Sequence, residues 1–175
     1  PVAPIIAASS GDVLTGTAEP GTTIILTDGL GIPLGEAIVD QNGGWIFTPS
    51  TPLPDSTVVE AFAIDAAGNI SPVSTVTIDA TAPDSPVLTL VSGGELLLIS
   101  AEPGVTVRVV IDGDTANPIQ VTVDGNGNFS LPLLTPLIAN ETVSAIAIDA
   151  AGNQSLPTVL IAPDIAPLTI AVVEA

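Results

Sequence analysis

Apolar positions recur along this chain with a period of two. Val105, Val107, Val109 and Ile111 alternate with Thr106, Arg108 and Val110, the spacing of a strand with one buried face. Val59, Ala61 and Ala63 share one face of an earlier strand, and Val143, Ala145 and Ala147 one face of a later strand. Phe62, Ile64, Ile146 and Ile148 fall between them and are expected on the outer face. Turn formers cut every run short: Glu-Pro-Gly, Asn-Gly and Ala-Gly-Asn clusters separate the apolar segments, as tight turns between strands require. Prolines at 20, 33, 49, 52, 54, 72 and 83 break any helical pattern in the first half. The pattern predicts an all-β chain.

The same landmarks appear twice, in the same order. Asp65-Ala66-Ala67-Gly68-Asn69 recurs letter for letter as Asp149-Ala150-Ala151-Gly152-Asn153, 84 positions on. Asp40 to Trp45 recurs at the same spacing as Asp124 to Phe129, and Ala18-Glu19-Pro20-Gly21 recurs 83 positions on as Ala101-Glu102-Pro103-Gly104. That period exceeds a solenoid repeat, so each copy is expected to be a whole domain of roughly seven strands. The predicted boundaries are 1–82 and 83–167. The linker between them, Ile78 to Pro86, carries Pro83 and Pro86, which favour an extended, stiff segment. Pro1 to Pro4 matches Pro83 to Pro86, and Ala166-Pro167 matches Ala82-Pro83. Residues 168–175 are therefore expected to begin a third repeat or form a tail, within a longer array.

Composition narrows what such an array can do. There are 19 acidic residues against a single basic one, Arg108, for a net charge of −18. Nothing here neutralises phosphates, so nucleic acid is excluded as a partner. The 46% hydrophobic content invites a membrane reading, but every apolar run ends well short of the ~18 residues a spanning helix needs, and no aromatic girdle marks a porin-like barrel. Membrane insertion is not expected. His, Tyr, Cys and Lys are absent, which removes thiolate metal sites and leaves carboxylates as the proton-transfer groups. Ser and Thr lack an activating base. A carboxylate pair acting on a glycoside would need an aromatic-lined sugar cleft, and Trp45, Phe47, Phe62 and Phe129 are the only large rings. Catalysis is not expected. Trp45 and Phe129 share a repeat position and are read as equivalent core residues.

Gly16-Thr17-Ala18-Glu19-Pro20-Gly21, the Asp-Ala-Ala-Gly-Asn turn and Asp79-Ala80-Thr81-Ala82-Pro83 together resemble bacterial Ig-like (BIg) repeats. Such repeats build giant type I-secreted adhesins and biofilm-associated proteins of Gram-negative bacteria. The resemblance covers nearly the whole chain. It implies two tandem Ig-like antiparallel β-sandwiches arranged end to end, on the bacterial cell surface, serving attachment and biofilm formation. In some relatives calcium sits at domain junctions. The second copy departs from the pattern where Ser100 is aligned with Gly16 and where Pro163 stands for Asp79.

With standard sandwich strand order, Asp12, Asp28 and Asp55 fall on loops near the exit of the first copy. Glu102, Asp149 and Asn153 fall near the entrance of the second, with Asp79 and Asp84 between. Ca²⁺ takes 6–8 oxygen ligands, and uncompensated negative charge favours a divalent cation. The expected structural Ca²⁺ ligands are Asp79, Glu102 and Asp149 first, then Asp84, Asn153, Asp12 and Asp28. The competing reading makes these residues solvated loop acids that cap turns.

Three further motifs read as structure. Asp124 to Asn128 opens like an EF-hand loop, but Phe129 stands where the loop needs Gly and Thr135 where it needs Glu, so a hairpin turn is preferred. Asp112-Gly113-Asp114 is likewise a turn. Four glycosylation sequons begin at Asn69, Asn128, Asn140 and Asn153; two fall inside the repeated turn, where Asn suits a left-handed backbone. The leading function is a spacer repeat whose partners are neighbouring repeats, with homotypic contacts between rods as a further expectation. The alternative is a module that recognises a glycan or a matching rod on another cell.

Overall fold

The computed structural model describes residues 1–91 and 93–164, and the proposed start of a third repeat lies outside them. Every regular element among the described residues is a strand. In the first half these are β1 (Ile5–Ile6), β2 (Leu14–Thr17), β3 (Thr23–Asp28), β4 (Pro33–Ile38), β5 (Gly44–Phe47), β6 (Val58–Ile64) and β7 (Ser74–Thr77). In the second they are β8 (Val87–Leu90), β9 (Leu96–Ser100), β10 (Thr106–Ile111), β11 (Ile119–Thr122), β12 (Asn128–Pro132), β13 (Thr142–Ile148) and β14 (Thr158–Ile161). Contacts divide the described residues into two compact units, Pro1–Ala82 with the turn Ala150–Asn153, and Pro83–Asp149 with the described residues from Gln154 on.

Topology repeats element for element. The first unit pairs β1-β2-β5 in one sheet and β4-β3-β6-β7 in the other; the second pairs β8-β9-β12 and β11-β10-β13-β14. All pairings are antiparallel. The fourth strand of each unit joins the sheet of the third, giving three strands against four. In the constant-type immunoglobulin sandwich the fourth strand sits on the opposite sheet. The segments Asp40–Gly44 and Asp124–Asn128 therefore carry the chain from one sheet to the other. The hairpin expected at 124–128 is corrected accordingly: the turn is tight, but β11 and β12 belong to different sheets.

Alternation decides what each sheet buries. Along β6, Val59, Ala61 and Ala63 are fully buried while Phe62 and Ile64 are half-exposed. β13 repeats this with Val143, Ala145 and Ala147 against Ile146 and Ile148. Leu14, Ile24, Leu26, Val59 and Ile78 fill one core, and Leu97, Ile99, Val107, Val109 and Val143 fill the other. Small Ala side chains on the sixth strand of each copy let the facing sheet approach closely.

Hydroxyls close both sandwiches at their edges. Ser71 and Ser155 are buried, and each Oγ accepts a 2.9 Å bond from the N–H of Ala63 or Ala147. Ser74 Oγ donates to Pro4 O, and Thr158 Oγ1 donates to Pro86 O at 2.6 Å. These bonds tie the last strand of each unit to the segment entering its first.

Candidate functional site

The acidic residues are the only charged chemistry present in quantity, and most of those with a defined role cap turns. Asp40 Oδ1 accepts from the N–H groups of Asn42 and Gly44, both at 2.8 Å. Asp124 does the same with Asn126 and Asn128, and Asp65 with Ala67 and Asn69. Asp28 accepts from Leu30 at 2.9 Å and Ile32 at 2.8 Å. One carboxylate oxygen thus receives the second and fourth N–H groups after it, neutralising two donors the turn cannot pair within a ladder. Bonds that favour the ionised form lower its pKa. The Asn69 side chain, then its N–H, draws Asp65 below the usual carboxylate value. The Asn128 and Asn126 N–H groups do so for Asp124, and the Asn117 side chain for Asp114.

The acids near the linker behave similarly within each unit. Asp55 Oδ1 accepts from Ala80 N at 2.9 Å, and Asp79 Oδ1 accepts from Thr81 N at 3.1 Å. The Ala80 bond is also the main cause of a lowered pKa at Asp55. Asp79 N in turn donates to Ser9 O at 3.1 Å. In the second unit, Glu102 Oε1 accepts from Asp84 N at 2.7 Å. Each end of the linker is thus fastened to a loop of its own unit by a carboxylate.

The candidate ligands separate as follows. Asp55 and Asp79 bracket Ala80–Thr81, and Glu102 meets Asp84. Asn153 Nδ2 donates to Asp79 O at 2.6 Å, while Asp149 directly follows β13 in a half-buried position. Asp12 is exposed in the bend after Gly11, and Asp28 is taken up by its own turn. Among the described residues no three acidic side chains gather closely enough to share a metal ion. These residues do not form a ready carboxylate cage. A cation here would need backbone carbonyls and water to complete the 6–8 oxygens of a Ca²⁺ shell.

Two readings of the sequence change. In the register of β2 and β5, Gly16 lies opposite Trp45, whereas in β9 and β12 Ile99 lies opposite Phe129. Ile99, not Ser100, therefore stands where Gly16 does, and Ser100 matches Thr17. Trp45 is 4% exposed, but Phe129 is only half-buried, so the two rings are not equivalent. Ser71 and Ser155 recur 84 positions apart at the third position of a sequon, and the fold makes each a buried latch, a role the sequon pattern does not signal.

The comparisons bear on this arrangement. The description Bacterial Ig domain matches residues 1–80 and again 82–164. The chain belongs to the bacterial Ig domain family. Among solved structures it is similar to a biofilm-associated protein BSP domain, at 21% identity and a TM-score of 0.43, over 94% of this chain and 30% of that one. It is also similar to fibronectin(III)-like modules of Clostridium thermocellum CbhA, at 17% identity and TM-score 0.46, over 92% and 94% of the two chains. A two-domain fibronectin type-III segment of chicken tenascin aligns at 15% identity and TM-score 0.37, over 93% and 98%. A search of curated protein sequences finds no match. The bacterial Ig pair thus spans less than a third of the biofilm-associated chain it resembles.

Proposed function

We propose that this bacterial Ig pair is a spacer segment of a bacterial surface adhesin, outside the cell, with no catalytic role. The observation that carries it is the duplication itself. Two units with the same strand pairing and their own cores repeat the same turn caps and serine latches, while no His, Lys, Tyr or Cys is available for chemistry. A ligand-binding module would concentrate distinctive polar or aromatic residues on the loops of one copy. Here the turns at Asp40–Gly44 and Asp65–Asn69 recur in sequence in the second copy, and all four aromatic residues lie on strands rather than loops. The test replaces the pair, in its parent protein on the cell surface, with two unrelated sandwich domains of equal length. Attachment should persist, and its loss would assign recognition to these repeats.

We further propose that Ca²⁺ associates with the acidic linker segment, with Asp79 as its main carboxylate. A net charge of −18 opposes compaction, and a cation that binds only folded protein stabilises it by mass action. Extracellular modules bind in the range of about 10⁻⁴–10⁻³ M. Millimolar Ca²⁺ should raise the melting temperature of the wild type and leave Asp79→Ala less responsive. Identical wild-type melts in EDTA and in Ca²⁺ would remove calcium from the proposal.

A further inference from the structure

The outer faces of the two four-stranded sheets carry opposite charge. In the first unit the strand registers set Glu36, Ile25 and Phe62 in one row across β4, β3 and β6. The adjacent row across β3, β6 and β7 holds Thr27, Glu60 and Thr75. Two glutamates therefore flank a partly exposed apolar centre. The matching rows of the second unit are Gln120, Arg108 and Ile146, then Val110, Ser144 and Val159. Arg108 takes the place of Ile25, Gln120 that of Glu36 and Ser144 that of Glu60. The strands of this face carry no acid, and they hold the only basic side chain of the chain. Val159 and Ile161 leave about three-fifths of their surface exposed beside it, at 60% and 63%.

We propose that this face of the second repeat docks on the corresponding face of the first repeat of another copy of the same chain. Arg108 would meet Glu36 and Glu60, with its stem and Ile146 against Ile25 and Phe62. A guanidinium over an aromatic ring adds a cation–π contribution, and its fork suits a carboxylate. General repulsion between two chains of charge −18 does not forbid this. At physiological ionic strength, charges more than ~8 Å apart are largely screened, so local pairing governs the contact. The strands of the three-stranded sheets carry neither acid nor base; Arg108 marks the one strand face where an acidic face meets a cation. Complementary charge of this kind sets which surfaces pair and excludes the others. The two faces differ, so a docked pair still offers one of each, and association can propagate.

Charge exchange tests this better than salt, which would also screen the general repulsion. Sedimentation velocity in EDTA, over rising concentration, should show wild-type self-association. Arg108→Glu and the double variant Glu36→Arg with Glu60→Arg should each associate at least tenfold more weakly. An equimolar mixture of the two should associate again, because each supplies the face the other lost. Circular dichroism confirms folding of each, and Arg108→Gln replaces Arg108→Glu if the latter unfolds. A wild type that stays monomeric to millimolar concentration overturns the proposal. So does association indifferent to Arg108, or a mixture of folded variants that fails to associate.

Discussion

At the same place in their cores the two repeats solve one packing problem differently. In the first, the position opposite Trp45 is Gly16, and the indole occupies space that a side chain would otherwise fill. A Cβ on Gly16 would collide with the Ile5 carbonyl oxygen and lie 2.6 Å from Trp45 Cζ2. In the second, Ile99 fills the space itself, fully buried, and the smaller Phe129 ring is left half-exposed. Side-chain bulk that sits wholly on Trp45 in the first repeat is shared between Ile99 and Phe129 in the second. Cores tolerate this kind of exchange when total volume and patterning are kept.

Truncating the rings should break the equivalence most visibly. Trp45→Ala empties a buried site and should cost about 3–5 kcal/mol. Phe129→Ala removes a ring only partly withdrawn from water and should cost about 1–2 kcal/mol. Calorimetric unfolding of the two-repeat chain resolves the loss. Equal costs for the two substitutions would mean that the rings do the same work after all. Trp45 Nε1 is buried and has no hydrogen-bond partner among the described residues, so some of the indole's packing gain is already offset by a lost solvent bond.

Gly16 gives the next largest effect. Gly16→Ala should destabilise the first repeat by about 1–3 kcal/mol through overpacking. Adding Trp45→Phe, which brings the pair closer to the second repeat's arrangement, should return part of that loss. The double-variant cycle measures the coupling directly. Additive costs would show that Gly16 and Trp45 do not share the space the register gives them.

The strands were legible because a period of two survives wherever one face is buried and the other wet. Val59-Ala61-Ala63 and Val143-Ala145-Ala147 needed no partner to be read. The exchange between Gly16 and Ile99 was hidden because it depends on which residue lies opposite which. The repeat offset changes by one residue between the Ala-Glu-Pro-Gly and the Asp-Gly-Asn landmarks; Gly16 precedes that step and so aligns with Ile99, but only the ladder shows that each faces the ring of its own repeat. The charged faces were hidden for the same reason: Glu36, Ile25 and Phe62 are far apart in sequence and become a row only through pairing. Turn caps were half legible. Asp followed by Gly and Asn announces a turn, but a second carboxylate oxygen left over looks the same in sequence as a metal ligand. Asp28 shows the ambiguity, since the side chain that suits a cation in sequence caps Leu30 and Ile32 in the fold.

The smallest effect lies in those caps, and there the repeats should agree. Asp55 and Asp65 in the first repeat and Asp114 and Asp124 in the second all have folded-state pKa values below the ordinary carboxylate value. A carboxylate of lowered pKa binds its proton less readily in the folded chain than in the unfolded one. Its contribution is complete above the unfolded value of about 3.9 and is lost as pH falls through the lower, folded value. Asn in these positions resembles the protonated acid, since it keeps an acceptor oxygen without the charge. Asp114→Asn with Asp124→Asn should therefore melt below wild type at pH 6 and converge with it as pH drops below about 4. In the first repeat Asp55→Asn with Asp65→Asn, which alters one linker bond and one turn cap, should converge over the same range. Protonation of the other acids relieves repulsion in wild type and variants alike, so the difference between their melting temperatures isolates the caps. The shift should be small, because all four groups are exposed and solvent screens their bonds. A gap between variant and wild type that stays constant from pH 6 to pH 2 would mean that the turns depend on the shape of the Asp side chain and not on its charge.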